Sequence, residues 1–207
     1  QKTAYEIPKR DWSSDVCSSD LSIPHLEIAD AENAIHKIKL PYQDYLSLTA
    51  ATNIKHRTRM IMLYYYGEQN HFLVSGTTNK SETVQGYFVK YGDGGTDIEP
   101  IANLYKTQVF QLAKHLGIPN RIIQRKPSPD TWSFPVSDED FFYGLPYNII
   151  DLMWYAKEHK IPKTTIQRSL KLTAEQIDGI FENQKRKWKT SAHMRKCLQN
   201  GMERYSR

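Results

Sequence analysis

Residues 71–82 read HFLVSGTTNKSE, and this stretch decides the fold. His71 to Ser75 is a short apolar run, the signature of a buried strand. Gly76 breaks it, and Lys80 to Gln85 reads as a short helix. Strand followed by helix is the pattern of an α/β domain. Such folds place ligands at the C-terminal ends of their strands. Thr77 stands there, where a hydroxyl can bond a base or ribose. Glu82, about one helical turn on, can point a carboxylate at the same place. A plain helix start, with a first-turn Glu serving the dipole, fits the same residues.

Immediately downstream, residues 90–97 read KYGDGGTD. Gly92, Gly94 and Gly95 permit backbone conformations that other residues resist. A loop of this kind can approach a ligand closely and aim its N–H groups at phosphates. Lys90 contributes a cation, and Asp93 and Asp97 contribute carboxylates. A long polar turn is the alternative, but three glycines among charged residues, between aromatic and apolar segments, favour a ligand loop. Upstream, Arg57 and Arg59 share a helix with Lys55 and His56. Either arginine can reach a phosphate or pair with a carboxylate. Lys106 begins a helix at the end whose dipole it opposes, so an anionic partner is attractive there.

Working outward, His25 to Ile28 alternates like a short strand. Asp30 is expected to cap a helix running to Lys39. Thr52 or Asn53 is expected to cap a second, NIKHRTRMIMLYYY, which Gly67 ends. Lys106 to Leu116 reads as helical, with Val109, Leu112, Ala113 and Leu116 on one face and Gly117 closing it. Residues 126–135 form a Pro/Ser/Asp/Trp loop. Asn148 to Glu158, Lys163 to Leu170 and Ala174 to Trp188 read as three further helices, the last opened by a Thr173/Gln176 capping box. A parallel sheet needs more than the two strands found. That deficit points to absent N-terminal sequence.

The chain has 207 residues, 28 basic against 23 acidic, for a formal charge of +5. A mild basic excess suits nucleic acid, an anionic membrane surface or a phosphorylated small molecule. The tail QKRKWKTSAHMRK, residues 184–196, concentrates it. Cys17 and Cys197 lie far apart without metal-ligand spacing, which argues for a reducing compartment. No run of about 18 apolar residues is present, so no transmembrane helix is expected. Asp11 to Leu21, DWSSDVCSSDL, has neither helical nor strand period. Its DVCSSDL is what a common sequencing-adapter tail encodes. Residues 1–21 are therefore set aside as artefact or disordered segment, and 22–207 are taken as one partial domain.

Taken together, RTRM, GTTNKSE, GYFVKYGDGGTDIEP, LYKTQVFQLAKHLGIP and KPSPDTW resemble the NAD synthetase family. The resemblance runs from about Leu26 to Lys196. It implies a Rossmann-like fold of the adenine nucleotide alpha-hydrolase, or ATP-pyrophosphatase, type. Here the parallel sheet would be incomplete and followed by a helical C-terminal tail. It implies ATP-dependent amidation of deamido-NAD to NAD with ammonia, through an adenylated intermediate, by a cytoplasmic homodimer with no nucleic-acid or membrane partner. The family pattern places Thr77, Lys106 and Ser128 at ATP and Glu82 at Mg2+. Arg57, Lys90, Asp97 and His193 fall at deamido-NAD. Ser128 stands where the family commonly has Thr, and Met194 where several members have Lys. No side-chain nucleophile is expected, because the substrate carboxylate attacks phosphorus. The family's phosphate loop, Ser-Gly-Gly-x-Asp-Ser, does not occur in the 207 residues. The expectation is a truncated and nearly inactive synthetase. The synthetase portion of a glutamine-dependent enzyme and a non-catalytic dinucleotide-binding protein are the alternatives.

Overall fold

The computed structural model describes residues 25–29, 34–129 and 136–195. The expectations for residues 1–21 lie outside them. The chain divides into two units, one built from residues 1–55 and 119–146 and the other from residues 56–118 and 147–207.

In the first unit, strands β1 (His25–Ala29) and β2 (Ile35–Lys39) form an antiparallel hairpin in which His25 faces Lys39 and Ala29 faces Ile35. The expected helix up to Lys39 is therefore corrected to a strand over Ile35–Lys39. Ten residues make at best a marginal helix without tertiary support, whereas β1 offers this segment a full backbone partner. The unit also holds α4 (Asn120–Ile123) and a π-helical turn at Glu139–Tyr143. Residues 126–129 are irregular, as expected, and the rest of that loop lies outside the described residues.

Helix α1 (Tyr42–Gln69) runs unbroken through the sites where Thr52 or Asn53 was expected to start it. Pro41 instead stands just ahead of the helix and accepts a bond from the Tyr45 amide at 3.0 Å. Between them, Ala50 and Ala51 favour continuation. Gly67 does not end the helix either. It lies inside the helix, where an added Cβ would sit 3.3 Å from the Phe72 carbonyl. The chain folds back over it, with Phe72 N–H donating to the Gly67 carbonyl at 2.8 Å.

The second unit carries α2 (Lys80–Gln85), α3 (Lys106–His115), α5 (Tyr147–Glu158), α6 (Lys163–Leu170) and α7 (Ala174–Thr190), all close to expectation. Helix α5 is its hub, packing against α3, α6 and α7, while α2 packs against α7. Ile150, Met153, Ile166, Ile177 and Ile180 are buried, and Val84, Tyr105 and Trp154 form a cluster.

One expectation needs correction here. Residues 71–75 do not form a sheet strand. Among the described residues, parallel pairing is limited to one bridge, Ser75 to Ile98, backed by Gly76 N–H to the Ile98 carbonyl at 2.7 Å. Phe72 and Leu73 are 71% and 69% exposed. An apolar run becomes a buried strand only within a sheet whose two faces are both covered, and among the described residues this run has a single bridge and Phe72 and Leu73 lie uncovered. Helix α3 forms as expected, and Leu116 just beyond it is 64% exposed.

Candidate functional site

Asn79 starts α2 with a capping box. Its side chain accepts from the Glu82 amide, and the Glu82 carboxylate accepts from the Asn79 amide at 3.1 Å. This fixes Glu82 on the first turn of α2 with its second oxygen turned toward α3. There Lys106 Nζ meets Glu82 Oε1 at 3.1 Å. Burial pushes the Glu82 carboxyl above its ordinary range, and Lys106 and the Asn79 amide only partly offset this. Lys106 also lies over the Tyr147 ring, 5.6 Å from its centroid. Two residues singled out in sequence, 24 positions apart, thus form one acid–base pair.

Thr77, just ahead of α2, is exposed at the end of the bridged segment. Its neighbour Thr78 is buried and donates to the Asp93 carbonyl at 3.4 Å, tying the α2 turn to the glycine loop. In that loop Asp93 accepts from the Val89 amide at 3.0 Å and lies 3.8 Å from His56. Burial pushes the Asp93 carboxyl up. The loop glycines are present for close packing rather than for left-handed backbone. An added Cβ on Gly94 would lie 2.5 Å from the Phe88 ring, while the positive φ, 62°, belongs to Tyr91.

Arg57 donates from Nε to the Lys90 carbonyl at 3.1 Å, so α1 and the loop bring these two predicted dinucleotide contacts together. Lys90 Nζ lies 5.1 Å from the centroid of the Tyr91 ring. Asp97 is committed to the protein. It accepts from the Val74 amide at 2.8 Å and from Tyr64 Oη at 2.9 Å. Tyr64 is pushed up to about 12 by its burial and its bond to Asp97. His193 lies beyond α7, exposed, with Nδ1 3.1 Å from the Thr190 carbonyl. Ser128 is exposed in the first unit and is not among the residues that the second unit assembles.

Sequence reasoning missed the residues that hold this arrangement. Ser81 and Asp151 are buried and bonded at 2.5 Å. Glu158 gathers Lys80, Tyr105 and Trp154. Buried Arg195 donates to the Thr83 and Trp188 carbonyls and lies over the Trp188 ring. The Asn79/Glu82 spacing was a readable capping signal; the long-range partners carried none.

A Mg2+ ion asks for hard oxygen ligands and commonly takes one or two carboxylates plus substrate phosphates. Glu82 fits that role. The Glu99 carboxyl is raised by burial and then by the nearby Asp93 and Glu82 charges, so negative potential gathers around it. No group of three His, Cys, Asp or Glu ligands occurs among the described residues. A cation here would take its remaining ligands from a phosphorylated substrate and from water. No helix of the described residues is long and apolar enough to cross a membrane.

Comparison with known proteins shows what the chain is similar to. A family model described as NAD synthase matches residues 13–196. The NH(3)-dependent NAD(+) synthetase of Mesorhizobium japonicum is 40% identical over 166 residues, 80% of this chain and 52% of that protein. Its namesake from Archaeoglobus fulgidus is 50% identical over 105 residues, 51% of this chain and 42% of that protein. The chain spans about half the length of the curated relatives it matches. Among solved structures, an NMN synthetase from Francisella tularensis superposes with a TM-score of 0.56 at 32% identity, covering 74% of this chain and 60% of that one. An NH3-dependent NAD synthetase from Campylobacter jejuni, in complex with nitrate, gives 0.51 at 27% identity, covering 71% and 52%.

Proposed function

This chain belongs to the NAD synthase family, and we propose on that footing that it carries part of the ATP- and dinucleotide-binding site of an ammonia-dependent NAD synthetase. The observation that carries the proposal is the Glu82–Lys106 pair, a half-buried carboxylate and an ammonium 3.1 Å apart at facing helix starts. In the reaction, the nicotinate carboxylate of deamido-NAD attacks the α-phosphorus of ATP, and the bond to pyrophosphate breaks. Ammonia then attacks the acyl carbon, the C–N bond forms, and AMP leaves. Lys106 offsets the charge that develops on the departing pyrophosphate. Glu82 would hold Mg2+, which when bound would supply Lewis-acid stabilisation of phosphate charge. Thr77 and Ser128 would contact ATP. Arg57, Lys90, Asp97 and His193 would face the dinucleotide. For Asp97 this means giving up the Tyr64 bond or sharing an oxygen with the ligand.

The parallel-sheet architecture of the adenine nucleotide alpha-hydrolase type belongs to the same proposal, supported by the likeness to the two synthetase structures. So do homodimer assembly and a cytoplasmic location. The 207 residues contain no Ser-Gly-Gly-x-Asp-Ser. Losing one anion-hole donor costs about 10²–10³ in rate, so this polypeptide alone is proposed to bind without appreciable turnover.

Titration calorimetry with deamido-NAD and with ATP plus Mg2+ tests the proposal. Both should bind, and Arg57→Ala should weaken the dinucleotide about tenfold, the worth of one charge-assisted hydrogen bond. A folded chain that binds neither nucleotide overturns it. Rapid turnover by the purified chain overturns the inactivity.

A further inference from the structure

Helix α5 presents Asp151, Trp154 and Glu158 at i, i+3 and i+7, a spacing that puts all three on one side. Asp151 is buried at 3% exposure. Its Oδ1 accepts from Ser81 Oγ at 2.5 Å, and its Oδ2 accepts from the Thr107 amide at 2.9 Å. Ser81 Oγ in turn accepts from the Lys106 amide at 2.8 Å. Two turns along, Glu158 accepts from Lys80 Nζ at 2.6 Å and Tyr105 Oη at 2.7 Å. Two carboxylates on one helix therefore grip two consecutive residues at the start of α2, Lys80 and Ser81. They also hold Tyr105 and Thr107 at the start of α3, while Ser81 Oγ takes the Lys106 amide between them. The Lys80 amide, donating to the Leu104 carbonyl at 2.9 Å, joins the two starts directly.

The start of α3 makes this arrangement necessary. Its N-cap position is Tyr105, whose side chain caps nothing. The first-turn amides of a helix need acceptors, and here they come from other elements. Ser81 serves Lys106, and Asp151 serves Thr107. A buried anion at a helix N-terminus also offsets the ammonium that Lys106 places at that end.

We infer that Asp151 is a positioning residue: through Ser81 and the Thr107 amide it sets the starts of α2 and α3 so that Glu82 and Lys106 meet. The inference rests on the proposed function for the meaning of that pair, but the pairing itself can be read without any nucleotide. The experiment measures the acetylation rate of each lysine by mass spectrometry in wild type, Asp151→Ala and Asp151→Asn. Lys163, paired with Asp178 between α6 and α7, is the internal control.

In Asp151→Ala, Lys106 should react about threefold to tenfold faster, the scale of one lost charge-assisted contact, with Lys163 unchanged. Asp151→Asn keeps an acceptor for the Thr107 amide and should fall between wild type and the alanine variant. It decides the matter alone if the alanine variant does not fold. An unchanged Lys106 rate overturns the inference. So does an equal rise at Lys106 and Lys163, which would mean general loosening. The same samples are titrated with ATP plus Mg2+ and with deamido-NAD. ATP affinity should drop about tenfold while dinucleotide affinity holds, and an equal loss of both overturns the positioning role. A wild-type chain that binds neither nucleotide defeats the proposed function, while the lysine rates still decide Asp151.

Discussion

Gly86 shows how much one position can carry. It ends α2 in the left-handed region at φ 73°, and an added Cβ would lie 2.1 Å from the Ser191 Cβ. Ser191 in turn accepts from Arg195 Nη1. Gly86→Ala therefore combines backbone strain with a collision against a buried neighbour. Strain at such a φ costs about 1–3 kcal/mol, and the collision adds to it. Urea denaturation should show a loss of at least about 2 kcal/mol. A loss under about 0.5 kcal/mol, the range of ordinary surface changes, would show that the contact is not tight. At this scale the sequence was legible where chemistry is local. A Lys at the wrong end of its helix dipole pointed to an anionic partner, and Glu82 supplies it. Asp151 looked like an ordinary polar member of an amphipathic helix and Arg195 like one more charge of the basic tail, because Thr107 and Thr83, which they hold, lie 44 and 112 residues away.

Among the elements, helices with caps near them in sequence were readable. The Thr173/Gln176 box forms as expected, with Thr173 N–H to Gln176 Oε1 at 2.9 Å and the reciprocal bond at 3.2 Å. Thr173→Ala should cost about 1 kcal/mol, measured as a lowered urea midpoint. Thr173→Asn should restore most of it, and an unaffected midpoint would mean that α7 is held by packing alone. Elements that depend on neighbours were not readable. Ile35–Lys39 carries apolar residues three apart and passes for a helix, yet β1 turns it into a strand. His71–Ser75 has strand composition, yet only Ser75 bridges, to Ile98. Helix α1 hid its start because Ala-Ala continues a helix as readily as Thr or Asn begins one.

At the scale of the molecule, the described carboxylates are unevenly disposed. Burial raises Glu82, Asp93, Glu99 and Asp151. Glu158 moves the other way: burial opposes its charge, but its bonds to Lys80, Tyr105 and Trp154 win. A raised folded-state carboxyl contributes stability that is fully present below its unfolded value, about 4. That contribution is lost as pH rises through the folded value. With four groups against one, the urea midpoint should fall as pH rises from about 4 toward neutrality. Glu82→Gln should flatten the decline, and a midpoint that rises over this range would refute the assignment. Mg2+ should raise the midpoint at pH 7.5 in wild type but less in Glu82→Gln.

The bond from Arg195 to the Thr83 carbonyl spans 112 residues, and this has a consequence during synthesis. Six-residue α2 is too short to persist alone. At about 5–20 residues per second, its last partner leaves the ribosome roughly 6–20 seconds after it does. Throughout that interval the turn bearing Glu82 waits without its latch. The turn that bears Glu82 is therefore completed by some of the last described residues to be made, and nascent chains stalled before Arg195 would be the ones most open to proteolysis.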